Sequence, residues 1–295
     1  MKIFIILICF AYLSSCTNKD NSENQSGKKS SEVSEGTDSS DKVNQSNSKE
    51  EYRVDFQMII DSANLDGGIL IYDPQSDVYY SNNFKRSSTG YLPASTFKIP
   101  NSIIALETGV AEDDSTVYNW DGKKRMLPQW EQDLILKDAF QFSCVPCYQQ
   151  IAREIGVDRM NEYLKKFDYG NITVDSSNID QFWLIGDSKI SQMQQVDFLK
   201  RFYGNELSIS ERTSEIMKRI MLFEENDSYK LSGKTGWAKS GIDNLGWFVG
   251  YVETEGKVFY FATNIESKEG FNMDNFAKVR SQITMEALQK LGVIR

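Results

Sequence analysis

An α/β (α+β) domain, with an antiparallel sheet formed by both chain ends, flanked by helices and carrying an inserted helical lobe, is the fold that the sequence predicts. Two observations carry that prediction. Strand patterns stand at the two ends of residues 51–295: Gly67-Gly68-Ile69-Leu70-Ile71-Tyr72 and Val78-Tyr79-Tyr80 around Asp73-Pro74, then residues 229–238, 245–253 and 257–265 joined by turns rich in Gly, Asn and Asp. Between them the apolar residues follow helical spacing. In chain order, Val54, Met58 and Ile59 suggest a first helix before the hairpin. Ile151, Ile155, Tyr163, Leu164 and Phe167 then make one stripe, Val196, Leu199 and Tyr203 a second, and Ile216 with Ile220 a third. An amphipathic segment over residues 275–291, ending at Gly292, closes the chain. A cleft between sheet and lobe is the natural place for a site.

With 295 residues, 40% hydrophobic and 12% aromatic, the chain is ample for one well-packed domain. Its formal charge, 33 minus 42 or -9, excludes electrostatic attraction to nucleic acid or to an anionic membrane surface and favours small ligands as partners. Lys2, the apolar run 3–13 and Ser14-Ser15-Cys16 read as a secretory signal over residues 1–15, too short to span a bilayer. Residues 17–50 have Val33 and Val43 as their only aliphatic side chains and no aromatic ones. Such a segment reads as a polar tether, because it cannot bury enough surface to offset its ordering entropy.

The sequence contains no histidine, so a serine nucleophile has to be activated by something other than imidazole. Ser95-Thr96-Phe97-Lys98 offers an alternative, since a helix places residues three apart on one face. The same spacing recurs at Ser26/Lys29, Ser39/Lys42 and Ser46/Lys49, all in the polar tether. Ser95 differs because Pro93-Ala94 precedes it and Ile99, Ile103, Ile104 and Leu106 follow, which sets it at a helix N-terminus where positive charge favours an oxyanion. Pro100 lacks the N–H that would reach Thr96, so the first turn should be irregular. Downstream, Lys234-Thr235-Gly236 falls inside a strand pattern, whereas Lys239-Ser240-Gly241 falls in the turn after it. Taken alone, Ser143 reads as a helix cap, Trp183 as core, and Arg280 as a solvated charge on the last helix. Cys144 and Cys147 are spaced C-x-x-C, but no histidine or second pair completes a zinc site. They read as two small thiols, with a disulfide in an oxidising compartment as the alternative.

Pro93-Ala94-Ser95-Thr96-Phe97-Lys98-Ile99-Pro100-Asn101-Ser102, followed by Ala105-Leu106-Glu107-Thr108-Gly109, closely resembles the nucleophile segment of class D (oxacillinase-type) serine β-lactamases. Ser143-Cys144-Val145-Pro146, Tyr169-Gly170-Asn171, Trp183-Leu184, Lys234-Thr235-Gly236 and Gly246-Trp247-Phe248-Val249-Gly250 follow in that family's order, so the likeness runs from Asp66 to the C-terminus. It implies the serine β-lactamase/penicillin-binding-protein-like fold and hydrolysis of β-lactam antibiotics through an acyl-enzyme on Ser95. It further implies a CO₂-derived carbamate on Lys98 as general base, in an apolar shell of Phe97, Val145, Trp183 and Leu184, with Trp183 Nε1 as a donor to it. Burial lowers a lysine pKa by about 3–5 pH units and leaves an amine able to attack CO₂. By the same likeness Ser143 relays a proton to the lactam nitrogen, Lys234-Thr235-Gly236 and Arg280 hold the anionic substrate, and the N–H groups of Ser95 and Trp237 form an oxyanion hole. No metal or diffusible cofactor is implied. Tyr169-Gly170-Asn171 is expected to shape a turn rather than to act in catalysis.

Leu13-Ser14-Ser15-Cys16 resembles a bacterial lipobox, which would make Cys16 a lipid anchor, residues 16–50 an anchor and tether, and residues 51–295 an exported, periplasmic or extracytoplasmic catalytic domain. A cleaved signal with an incidental cysteine is the alternative. Membrane contact is then expected only through the anchor, and monomer and homodimer both stay open. A non-hydrolysing β-lactam sensor or penicillin-binding domain is the competing function, against which stand the single apolar segment and Val145 where penicillin-binding proteins usually carry Asn.

Overall fold

The computed structural model describes residues 50–240 and 243–295; the expected signal, Cys16 and nearly all of the tether lie outside the described residues. In chain order come β1 (Glu50–Arg53), α1 (Gln57–Ser62), β2 (Leu65–Asp73), β3 (Val78–Ser81), α2 (Phe84–Ser88), a 3-10 turn (Ala94–Phe97) and α3 (Lys98–Glu107). The lobe continues through β4 (Val117–Tyr118), β5 (Leu134–Ile135), α4 (Leu136–Gln141), α5 (Val145–Ile155), α6 (Val157–Phe167), α7 (Gln192–Tyr203) and α8 (Glu211–Ile220). The chain returns to the sheet with β6 (Leu222–Glu225), β7 (Lys230–Ser240), β8 (Asp243–Thr254) and β9 (Lys257–Ser267), and closes with α9 (Phe276–Lys290).

The strand order is β1-β3-β2-β9-β8-β7-β6, so both chain ends build one seven-stranded sheet, as the patterns at the two ends predict. Every pairing is antiparallel except that of β1 with β3, which makes the sheet mixed at one edge. Nothing in the pattern signals β1, whose four residues are all exposed and therefore carry no apolar alternation.

The run 69–72 is continuously apolar because both sheet faces are covered. Ile69 and Ile71 point to one core with Phe248, Phe261, Ile265 and the α9 residues Phe276, Ile283 and Leu288. Leu70 and Tyr72 point to the other, with Trp247, Val249, Tyr251 and the helical lobe. Burying each such large apolar side chain contributes about 1.5–3 kcal/mol, which fixes the register of the central strands. The stripe through Ile151 and Phe167 is two helices, not one: Gly156, at φ 81°, breaks it between α5 and α6. At the centre of the lobe, all residues of α3 from Lys98 to Leu106 are buried, the pattern of a helix enclosed on every side.

Candidate active site

Ser95 and Lys98 meet because the turn that joins them is a 3-10 turn. In that geometry residues three apart eclipse each other, and Lys98 Nζ donates to Ser95 Oγ at 3.0 Å. The irregular first turn expected from Pro100 is thus present, although Pro100 itself is the third residue of α3, where the missing N–H is one of the helix's unpaired donors in any case. Ala94 stands at φ 50°, a left-handed conformation that costs a non-glycine residue about 1–3 kcal/mol and persists only where the surroundings enforce it.

Those surroundings are visible. Thr96 Oγ1 donates to Pro93 O at 2.7 Å and accepts from Gln195 Nε2 of α7 at 2.9 Å, while Tyr169 OH donates to Gln195 Oε1 at 3.3 Å. Phe97 is stacked on Trp183 at 5.6 Å and meets Phe182 and Tyr169 edge-on at 4.7 and 5.9 Å. Tyr169 therefore supports the nucleophile turn from below, in line with a structural role.

Lys98 is fully buried, and desolvation pulls its amine down from the ordinary 10.5 to about 7. The ring of Tyr148 lies 4.8 Å from its Nζ. Trp183 is also fully buried, and its Nε1 has no hydrogen-bond partner. An orphaned indole N–H in an apolar shell is costly, so this donor suits an acceptor held at Lys98.

On the opposite wall, alternation along β7 turns Lys234, Gly236 and Ala238 to the lobe and Trp237 to α9, where its ring lies 5.0 Å from Phe276 and 5.7 Å from the Arg280 guanidinium. Lys234 Nζ donates to Ser143 Oγ at 3.1 Å and to Thr235 O at 3.0 Å. Its burial, and then the nearby charges of Lys98 and Arg280, hold its pKa well below the ordinary value. Ser143 occupies the left-handed region at φ 56°, directly before Cys144 and Val145 at the start of α5. A cavity of about 230 Å³ walled by Phe140, Ile220, Leu222 and Phe223 opens beside Lys234 and Thr235.

Arg280 is 8% exposed, not a solvated charge: Nη1 donates to Gly236 O at 2.6 Å, Nε and Nη2 to Ala277 O, and desolvation lowers its pKa to about 10. A Cβ on Gly236 would stand 3.2 Å from Thr96 Cγ2 and 3.3 Å from Ala94 Cβ, so a side chain there would press β7 and the nucleophile turn apart by a few tenths of an ångström. Beyond Ser232, β7 has no strand partner on its β6 side, and Gly233 N–H donates across that edge to Met221 O. Period two puts the N–H of Trp237 on the same edge, towards Ser95.

Sequence reasoning missed Gln195 and Tyr148. Both carried a signal: Gln195 belongs to the buried face of α7 with Val196 and Leu199, and Tyr148 precedes Ile151 and Ile155 on the α5 stripe. Cys144 and Cys147 are joined by a disulfide, the alternative to the two thiols of the first reading.

A buried serine and lysine at the base of a helix, facing the lysine-bearing strand β7, define a serine acyl-transfer enzyme of the penicillin-recognising kind. The sequence model of the penicillin binding protein transpeptidase domain matches residues 57–289. Beta-lactamase OXA-48 of Klebsiella pneumoniae is 40% identical, covering 77% of this chain and 84% of its own. Beta-lactamase OXA-10 of Pseudomonas aeruginosa is 43% identical, covering 78% and 86%. The crystal structure of a class D beta-lactamase from Sebaldella termitidis superposes with a TM-score of 0.79 at 38% identity, over 84% of this chain and all of that one. The chain belongs to the class D β-lactamases, serine hydrolases of the β-lactam amide bond.

Proposed function

We propose that Ser95 is the nucleophile of β-lactam hydrolysis and that the Lys98 side chain is its base. The observation that carries this reading is the fully buried amine, 3.0 Å from Ser95 Oγ, with a pKa near 7. A group of that kind is in large part unprotonated near neutral pH and in that form able to take the hydroxyl proton as Oγ attacks the lactam carbonyl. The N–H groups of Ser95 and Trp237 receive the oxyanion. Ser143, kept in line by Lys234, passes a proton to the departing nitrogen. Lys234, Thr235 and Gly236 line the substrate's path, and Arg280 pairs with its carboxylate. Val145 closes the apolar wall beside Ser143. With the proton from Ser95 passed on to the departing nitrogen, the Lys98 side chain is a free base again. Water then attacks the acyl carbonyl and gives this base a proton, which Lys98 hands to the Ser95 oxygen as the ester bond breaks.

A carbamate on Lys98 would supply a carboxylate base at this point, and Trp183 Nε1 and the Ser95 hydroxyl are the groups that would hold it. Cys16 serves as the lipid anchor of an exported domain over residues 51–295, joined by the polar tether. The measurement that tests the catalytic reading is intact-protein mass spectrometry of the enzyme with excess penicillin, alongside Ser95→Ala. An adduct that forms and clears while penicilloate accumulates supports it. A permanent adduct would make the protein a sensor, and no adduct would remove Ser95 from the chemistry.

A further inference from the structure

We infer that the Cys144–Cys147 disulfide is a thiol-exchange site, opened at Cys147 by a small dithiol, and that its closed form positions Ser143 for catalysis. This rests on the proton role given to Ser143 above.

The bond sits in the segment that carries the chemistry. Ser143 comes directly before Cys144, and Val145 and Pro146 lie inside the loop that the disulfide closes. Cys144 caps α5, and its Sγ accepts the backbone N–H of Cys147 at 3.2 Å. The two sulfurs differ in access, since Cys144 is 1% exposed and Cys147 is half-buried. Both cysteines line a cavity of about 180 Å³ whose lining also includes Trp130 and Tyr118. That volume admits a small thiol, since a 150 Å³ cavity accepts a benzene ring.

The exchange follows from this asymmetry. A thiolate of the dithiol attacks the accessible Cys147 Sγ, the Sγ–Sγ bond breaks, and Cys144 leaves as a thiolate. The leaving sulfur already accepts the Cys147 N–H at the positive end of an eleven-residue helix, a setting that favours a departing thiolate. The second thiolate of the dithiol then attacks its own sulfur in the mixed disulfide and frees Cys147. The reductant departs as a cyclic disulfide, and the two cysteines gain the protons that its thiols lost.

Opening the bond bears on Ser143 because that residue holds a left-handed conformation with few local supports: its N–H on Phe140 O at 3.1 Å, and Lys234 Nζ on its hydroxyl. Trp130 Nε1, donating to Phe142 O at 2.9 Å, fixes the residue before it, and the residue after it is held by the disulfide together with its own N–H on Ala139 O at 2.9 Å. With the sulfurs apart, the cap of α5 loosens on that side. Positioned proton transfer contributes on the order of 10²–10⁴ in rate, so a partial loss of alignment lowers kcat about tenfold with little change in KM.

The test uses the full-length enzyme, dithiothreitol as the reductant and iodoacetamide as the label, at a temperature where circular dichroism shows the fold intact. The expected result has four parts: Cys144 and Cys147 are alkylated only after reduction, kcat for penicillin falls about tenfold, reoxidation restores it, and Cys144→Ala/Cys147→Ala stays at the reduced level and ignores dithiothreitol. Should the double variant not fold, Cys147→Ala replaces it. Alkylation without reductant, no alkylation of the folded enzyme after reduction, or a reduced kcat within about twofold of the oxidised one each overturns the inference. Ser143→Ala separates the two readings: full turnover in that variant removes the role of Ser143 itself, while the labelling still decides whether the exchange site exists.

Discussion

Replacing Lys98 with methionine should make the protein more stable, and by an amount that depends on pH. Burial displaces the amine from 10.5 to about 7. Below about 7 the ammonium is present in both folded and unfolded chains, and burying it costs about 5 kcal/mol. Between about 7 and 10.5 the folded chain holds a neutral amine while the unfolded chain still binds the proton. The unfolded state then carries more protons, so stability rises with pH. Above 10.5 both are neutral and the cost is gone. Lys98→Met has no such titration, and Lys234 stays buried in both proteins, relieved in the variant only of the Lys98 charge, which is secondary to burial in lowering its pKa. The advantage of the variant should therefore shrink by about 2 kcal/mol between pH 7 and pH 9. Urea unfolding of both proteins at these two pH values, in CO₂-free buffer, measures it. Adding bicarbonate should stabilise the wild type alone if the amine captures CO₂. Parallel stability profiles for the two proteins would refute the placement of a neutral amine at this position.

Three further outcomes follow from the site. In CO₂-free buffer, kcat/KM for penicillin should fall as pH drops through about 7, because a protonated Lys98 cannot accept the Ser95 proton; a flat profile down to pH 5.5 would contradict this. Turnover by Trp183→Phe should no longer respond to added bicarbonate, since the unpartnered Nε1 is the donor that a carbamate would use; an unchanged bicarbonate response would count against that assignment. Gly236→Ala should lower the acylation rate at least about tenfold by pressing a methyl group on Thr96 and Ala94 and moving β7 off the nucleophile turn; a wild-type burst rate in rapid-mixing kinetics would show that the gap is not needed.

The fold was legible where side chains alternate against a covered surface. Ile69 to Tyr72, residues 229–238 and the apolar face of α9 all announce their elements, because each has to bury a face. β1 did not, since all four of its residues are exposed and none buries a face. The break at Gly156 was legible only in hindsight, because α5 and α6 share one apolar period across it. At the site, Ser95, Lys98 and Lys234 could be read from order and spacing, and the structure brings the first two within a hydrogen bond and the third onto Ser143. Distance-dependent facts could not be read. Arg280 looks solvated in sequence yet is buried by its fit against Gly236, and Gln195 meets Thr96 across 99 positions of chain. The pairing of Cys144 with Cys147 depends on the turn that brings the two sulfurs together, which their spacing permits without requiring.

The pairing of β2 with β9 has a consequence for how the enzyme comes into being. Leu65 lies opposite Ser267 and Tyr72 opposite Tyr260, so a central seam of the sheet joins segments that emerge far apart in time during synthesis. While the ribosome still holds the last quarter of the chain, β2 has only β3 beside it, and an isolated hairpin is marginal in water. Lys234 and Arg280 arrive in that same last quarter. The nascent chain therefore has its nucleophile long before it has a working cleft, and folding rate is set by closure of this long-range pairing. Catalytic competence arrives abruptly, with the C-terminal strands, and any agent that delays their docking withholds resistance without touching the chemistry of Ser95.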